Sequence, residues 1–259
     1  MFLERILQAK RGEVEIRQAE IPFQLLQSRA DEAPKPRDFA AALGKPGLGV
    51  IGEVKRASPS KGPLRPDLDA AATAARYESG GCVAISVLTD GPHFAARPDD
   101  LPTVRRAVSV PVLRKDFLIA DYQIWEARAM GADALLLIVA ALDQSTLHDL
   151  VALTHHLGME ALVEVHNEEE VAIALECGAR VVGINNRDLH SFRVDLDTTS
   201  RLRPLIPEGI VVIAESGIKG PDDAARVRAL GIDAVLIGEA LVTAKEPAAL
   251  VQSISNVAD

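Results

Sequence analysis

Aromatic residues are scarce in this 259-residue chain, at 3%, although 48% of it is hydrophobic. Its interior must therefore be assembled from Val, Ile, Leu and Ala, as in α/β proteins whose parallel strands are buried on both faces. Long basic runs are missing and the formal net charge is −9, which excludes a broad nucleic-acid or anionic-membrane surface. Any anionic ligand then needs a local cationic pocket. No apolar stretch approaches the roughly 20 residues of a membrane span. The segment MFLERILQAKRGEVE is amphipathic and mixed in charge rather than signal-like, so a cytoplasmic location is expected. Only two cysteines occur, Cys82 and Cys177, both in apolar segments without metal-type spacing, which predicts free buried thiols.

What the chain does have is repetition. From Gly49 onward eight short apolar runs alternate with helix-length segments: GVIGEV, CVAISVL, VPVLRKDF, DALLLIV, EALVEVH, RVVGINN, IVVIAES and DAVLIGE. Several are introduced by a helix end marked with Gly, as in AMGADALLLI and ECGARVVGI, the expected C-terminal punctuation. Eight βα units without a Gly-x-Gly-x-x-Gly opening favour a closed (β/α)8 TIM barrel over a doubly wound open sheet. Residues 1–48 have helical periodicity but too few apolar positions for their own core. They are expected to be an N-terminal helical extension packed on the barrel, within one domain spanning 1–259.

The strand ends carry the chemistry. Glu53 and Lys55 share one face of the first strand, where a charged pair is costly unless satisfied or used. Alone, E-x-K is an ordinary salt bridge. Yet strand 3 ends in Arg114, Lys115 and Asp116, strand 5 carries Glu164, strand 6 ends in Asn185, Asn186 and Arg187, and strand 7 in Glu215 and Ser216. So many polar tips at the rim where such barrels place their reacting groups predict an active site. The loops at Gly217 and Gly238, after strands 7 and 8, are where these barrels bind phosphate, with Ser58 and Lys61 able to add a hydroxyl and a cation. Neighbouring His155 and His156 point about 100° apart on a helix and are expected at the surface. His166 follows Glu164 on the same face, but no ligand pattern accompanies it. No rim position offers a coherent metal set, so no metal is expected. The run Asn167-Glu168-Glu169-Glu170 is expected to open a helix.

The ordered set GEVKRASPSKG, AISVLTD, PVLRKDFLI, LVEVHNEEE, GINNRDL, IAESGI and LIGEAL resembles the indole-3-glycerol-phosphate synthase family over nearly the whole chain, extension included. The resemblance implies closure of 1-(2-carboxyphenylamino)-1-deoxyribulose 5-phosphate to indole-3-glycerol phosphate, with loss of CO2 and water and no cofactor. It implies that Lys115 is the general acid for closure, that Lys55 protonates the departing hydroxyl or binds substrate, and that Glu53 and Glu164 pair with the lysines or act as base. A carboxylate beside each lysine is expected to keep it charged, and burial to tune it back toward neutral. Asn185, Arg187, Glu215 and Ser216 match substrate-contacting positions, with Asn185 and Glu215 counted in the catalytic set. Phe117 and Leu189 would shape an apolar slot for the anthranilate ring, while Lys55, Ser58, Gly217, Gly238 and the backbone at Glu239 would form the phosphate end. A small-molecule phosphorylated anthranilate-sugar substrate and a monomer are expected.

Two departures from the family pattern are local. Phe94-Ala95-Ala96-Arg97 replaces a Phe-x-Gly-Ser element, and Glu239 stands where Ser or Thr is usual. Rival readings are phosphoribosylanthranilate isomerase, the tryptophan synthase α chain, and a catalytically silent metabolite-binding barrel. The isomerase would need a cysteine at a strand end, and neither cysteine lies at one.

Overall fold

All eight apolar runs form strands in the computed structural model, which describes residues 2–189 and 191–257. They are β1 (Gly49–Val54), β2 (Ala84–Leu88), β3 (Val112–Lys115), β4 (Ala134–Ile138), β5 (Glu160–Val165), β6 (Val181–Asn185), β7 (Val211–Glu215) and β8 (Ala234–Ile237). Each of these eight pairs in parallel with its sequence neighbours, and β8 closes on β1, with Gly49 opposite Ala234 and Gly52 opposite Ile237. The structure is the (β/α)8 TIM barrel expected from the alternation.

Local chemistry sets where the intervening helices begin and end. The side chains of Asp69, Asp90, Asp143 and Asn167 accept the N–H groups of Ala72, His93, Thr146 and Glu170, satisfying donors that a helix start leaves unpaired. Five helices then turn into the next strand through Gly81, Gly131, Gly158, Gly178 and Gly231, whose φ values of 101°, 83°, 77°, 80° and 79° lie in the left-handed region. Only glycine enters that region without steric cost.

Strand side chains divide between two apolar layers. Val50, Val54, Val163 and Val235 face the surrounding helices, whereas Ile51, Leu113, Leu136, Leu162, Ile213 and Leu236 fill the barrel interior. The extension forms α1 (Phe2–Glu20), α2 (Phe23–Glu32) and α3 (Phe39–Leu43). Phe39 and Leu43, each 1% exposed, join the interior cluster from the N-terminal mouth, which α3 thereby plugs. By contrast, α1 and α2 lie against the outer helix Asp121–Ala129, where Tyr122 Oη donates to Arg17 O at 2.9 Å and Arg128 Nη2 donates to Ala33 O at 2.9 Å. Lys10 of α1 is fully buried, 3.0 Å from Asp90 and 3.1 Å from Asp116, so the extension also grips the loops beyond β2 and β3.

Candidate active site

Strand alternation now fixes which polar tips face inward. Leu113 points into the barrel and carries Lys115 to the same side; Ile51 does so for Glu53, Leu162 for Glu164 and Ile213 for Glu215. These four charged groups come from β1, β3, β5 and β7, the odd strands that in this architecture build a single interior layer. Lys115 Nζ lies 2.8 Å from Glu215 Oε2 and 3.2 Å from Glu164 Oε2. Lys55 Nζ lies 2.8 Å from Glu53 Oε1. One lysine therefore bridges two carboxylates, and the other forms a separate pair at the end of β1.

Burial and charge divide the trio. Burial alone would lower the pKa of Lys115, but Glu215, Glu164 and Glu53 outweigh it and hold the ammonium above its ordinary range. This corrects the expectation that burial brings Lys115 toward neutrality, because three carboxylates face it. For Glu164, burial favours the neutral form, yet Lys115 and His166 override it and keep the carboxylate ionised well below its usual pKa. Glu215 goes the other way: burial, only partly offset by Lys115, pushes its pKa up to about 7. Its Oε1 is buried with no hydrogen-bond partner. Gly183 on β6 makes room for that carboxylate, since a Cβ there would strike Glu215 Oε1.

The layer floors a cavity of about 980 Å³ at the C-terminal mouth. Every residue expected in the site lines it: Glu53, Lys55, Lys115, Glu164, Asn185 and Glu215 on the floor, and Ser58, Phe117, Arg187, Leu189 and Ser216 from the loops. Gly217, Gly238 and Glu239 line it as well. Phe117 and Leu189 pack against the interior cluster, which makes one wall apolar. At the opposite wall Ser216 and Gly217 are consecutively left-handed, with φ of 63° and 89°, a strained turn for a serine. The short helix Glu239–Thr243 starts directly at Gly238. A Cβ on Gly238 would strike Glu53 Oε1 and Lys55 Nζ, so the glycine lets this loop close over that pair. The Glu239 carboxylate, 3.7 Å from Lys61 Nζ, is exposed.

Three polar tips are turned elsewhere. Arg114 is buried outside the barrel, where Nη1 donates to Gln123 O at 2.8 Å. Asp116 borders the cavity, but its carboxylate is held by Lys10 and by Thr89 Oγ1 at 2.6 Å. Asn186 braces the backbone after β7, donating to Glu215 O at 3.0 Å and accepting from Thr199 Oγ1 at 2.8 Å. Their neighbours Lys115 and Asn185 face in, so the one-residue difference decides. His155 is a further correction: it is half-buried, with Nε2 2.8 Å from Glu160 Oε1, while His156 is exposed as expected. Cavity residues not foreseen include Leu88, Ile138, Phe94 and Phe192. The first two follow from strand parity; Phe94 ends the helix Gly91–Phe94, after which Ala95 takes a φ of 55° in the departing loop. Among the described residues, no three His, Cys, Asp or Glu side chains are grouped to hold a metal ion, and no helix is long and apolar enough to cross a membrane.

Comparison with known proteins agrees with this geometry at two levels. Among solved structures, the thiamine phosphate pyrophosphorylase of Pyrococcus furiosus superposes with a TM-score of 0.63 at 17% identity, over 85% of this chain and 97% of that one. The 3-hexulose-6-phosphate synthase of Salmonella typhimurium gives 0.65 at 15% identity, over 81% and 98%. These likenesses establish the fold alone. Sequence goes further: an indole-3-glycerol phosphate synthase of Mycobacteroides abscessus is 53% identical over 95% of this chain and 90% of its own length. Another from Rhodococcus jostii is 50% identical over 98% and 94%. The profile described as indole-3-glycerol phosphate synthase matches residues 3–254, from the first helix through the last, and the chain belongs to that family.

Proposed function

We propose that Lys115 is the proton donor for ring closure, that Glu164 and Glu215 keep it loaded, and that Glu53–Lys55 serves the later dehydration. The overall reaction is that of the family: the carboxyphenylamino-deoxyribulose phosphate becomes indole-3-glycerol phosphate with release of CO2 and water. The observation supporting the division of labour is one ammonium held between two carboxylates of opposite tendency, 2.8 and 3.2 Å away. In closure, the ring carbon bearing the carboxyl group attacks the ketone carbon, and the ketone oxygen becomes alkoxide-like. That oxygen is then more basic than an amine, so it takes a proton from Lys115 even though the lysine is a weak acid at rest. Loss of CO2 leaves its bonding electrons with the ring. Glu215, poised near neutrality, returns a proton to the lysine, while ionised Glu164 holds the amine in place. Dehydration follows: Lys55 delivers a proton to the departing hydroxyl, and the Glu53 carboxylate takes a proton from the newly closed ring.

The phosphate end fits the loops at Ser216–Gly217 and Gly238–Glu239, with Ser58 and Lys55 beside them, and the anthranilate ring fits the wall made by Phe117 and Leu189. Asn185 and Arg187 would orient the groups between. Anchoring at both ends converts binding energy into orientation at the floor. Because the cavity is complete within one chain, the same reading has the enzyme acting as a cytoplasmic monomer on a free small molecule. The test is turnover of the carboxyphenylamino-deoxyribulose phosphate, followed by indole fluorescence. Lys115→Met should lower kcat by about 10²- to 10⁴-fold with little change in KM. Near-normal turnover in that variant would remove Lys115 from the role.

A further inference from the structure

Glu164 and Glu215 present the same chemical group to the same ammonium, and both are 2% exposed. What separates them must lie on the far side of each. Behind Glu215 is Gly183, which offers no side chain, and Glu215 Oε1 is left without a partner. Behind Glu164 is His166, just past the end of β5, with Nε2 3.4 Å from Glu164 Oε1. Its other nitrogen, Nδ1, is 3.0 Å from Glu170 Oε2, and the same oxygen accepts the His166 backbone N–H at 2.7 Å. Glu170 is in turn fixed: Asn167 Nδ2 donates to its Oε1 at 2.7 Å, and its own N–H donates to Asn167 Oδ1 at 3.0 Å. The helix start read from the acidic run is thus also a brace.

An imidazole flanked by a carboxylate at each nitrogen is favoured in its doubly protonated, cationic form; Nε2, 3.4 Å from Glu164 Oε1, makes no hydrogen bond of normal geometry, so that contact acts through charge, while Nδ1 is bonded to Glu170. His166 is not among the residues that line the cavity, and acts through Glu164, which is. We propose that His166 is a positioning residue which, as an imidazolium braced on Glu170, keeps Glu164 ionised and oriented, so that Glu215 alone of the two carboxylates exchanges protons with Lys115. This deepens the reading above and rests on Lys115 being the acid. The charged groups facing the imidazole are Glu164 from its own strand and Glu170 from the helix that follows; beyond Glu164 lies Lys115 of β3. Burial lowers the imidazole pKa, but the two carboxylates outweigh burial and raise it to about 10.

Two measurements decide. In the intact protein, the ¹⁵N signals of the His166 ring should remain those of an imidazolium through pH 8; titration near the ordinary value of about 6.5 overturns the proposal. In His166→Gln, which keeps a donor but not the charge, the two carboxylates lose their distinction. The kcat should fall about tenfold, KM should change less than about twofold, and the acid limb of the kcat profile should move up by about one pH unit. Glu170→Gln, which leaves Glu164 and its neighbours in place, should move the limb the same way by less. If both variants fold and keep the parental pH profile, His166 only packs. A fully active Lys115→Met would instead remove the underlying reading, whatever His166 shows.

Discussion

Both ends of the barrel bury charge, but they use it differently. At the N-terminal mouth, below the plug of Phe39 and Leu43, Asp133 is completely engaged. It accepts Arg37 N at 2.7 Å and Val112 N at 2.8 Å, and it pairs with Arg105 Nε at 3.0 Å. Asp233 likewise accepts Val212 N at 2.7 Å. At the C-terminal mouth Glu215 has a bare oxygen, Lys115 faces an open cavity, and Ser216 sits in a strained conformation. Buried charge is thus no sign of function by itself. An incompletely bonded carboxylate that borders a cavity beside an ammonium is, because its desolvation is only partly repaid within the folded chain.

The largest expected difference comes from neutralising a residue at the top. Glu215→Gln should lower kcat by about 10²- to 10⁴-fold while the melting temperature stays the same or rises, since an amide fits the site without a charge to desolvate. Loss of stability together with activity would place Glu215 among the structural charges. The matching change at the bottom, Asp133→Ala, should cost about 3–5 kcal/mol in denaturant unfolding, because it strands two backbone donors and an arginine. The folded fraction should keep parental kcat and KM.

How far the chain declares this contrast depends on phase. The eight strands, the glycine turns and the polar strand ends from Glu53 to Glu215 were legible in alternation and order. Whether Arg114 or Lys115 faces in was not, since Val112 and Leu113 are both apolar and a strand buried on two faces gives no contrast from which to set its phase. The link from Lys10 to Asp90 and Asp116 was hidden for another reason: helical periodicity in α1 cannot reveal a partner in a distant loop. His166 lies one residue beyond its strand, where alternation ceases to be a guide.

A pH experiment sharpens the same comparison at intermediate magnitude. Glu215 has a folded pKa near 7, above its unfolded value of about 4.5, so its neutral form stabilises the fold fully below about 4.5 and that contribution is lost as pH rises through about 7. Glu164 has the opposite sign, its contribution being present above about 4.5 and lost only on acidification. The stability difference between parent and Glu215→Gln should therefore shift against the parent between pH 5 and pH 8, by an amount on the order of 2 kcal/mol. No shift across that interval would mean that Glu215 is ionised throughout.

The smallest expected effect concerns the rim. Glu239 and Lys61 are exposed at 44% and 57% and sit 3.7 Å apart, so their pairing should add less than about 1 kcal/mol to stability. Yet the carboxylate stands at the start of the short helix that follows Gly238, where the phosphate end of the substrate is proposed to lie. Glu239→Gln should leave the melting temperature unchanged and lower KM about two- to threefold at low ionic strength, as a repulsive charge is removed. The gain should fade near 0.15 M salt, where the Debye length is only about 8 Å. If KM rose instead, the carboxylate would be holding Lys61 toward the phosphate, and Lys61→Met would then have to raise KM as well. If KM did not move at either salt concentration, the phosphate end would lie away from Gly238, and the loop at Ser216–Gly217 would have to carry it alone.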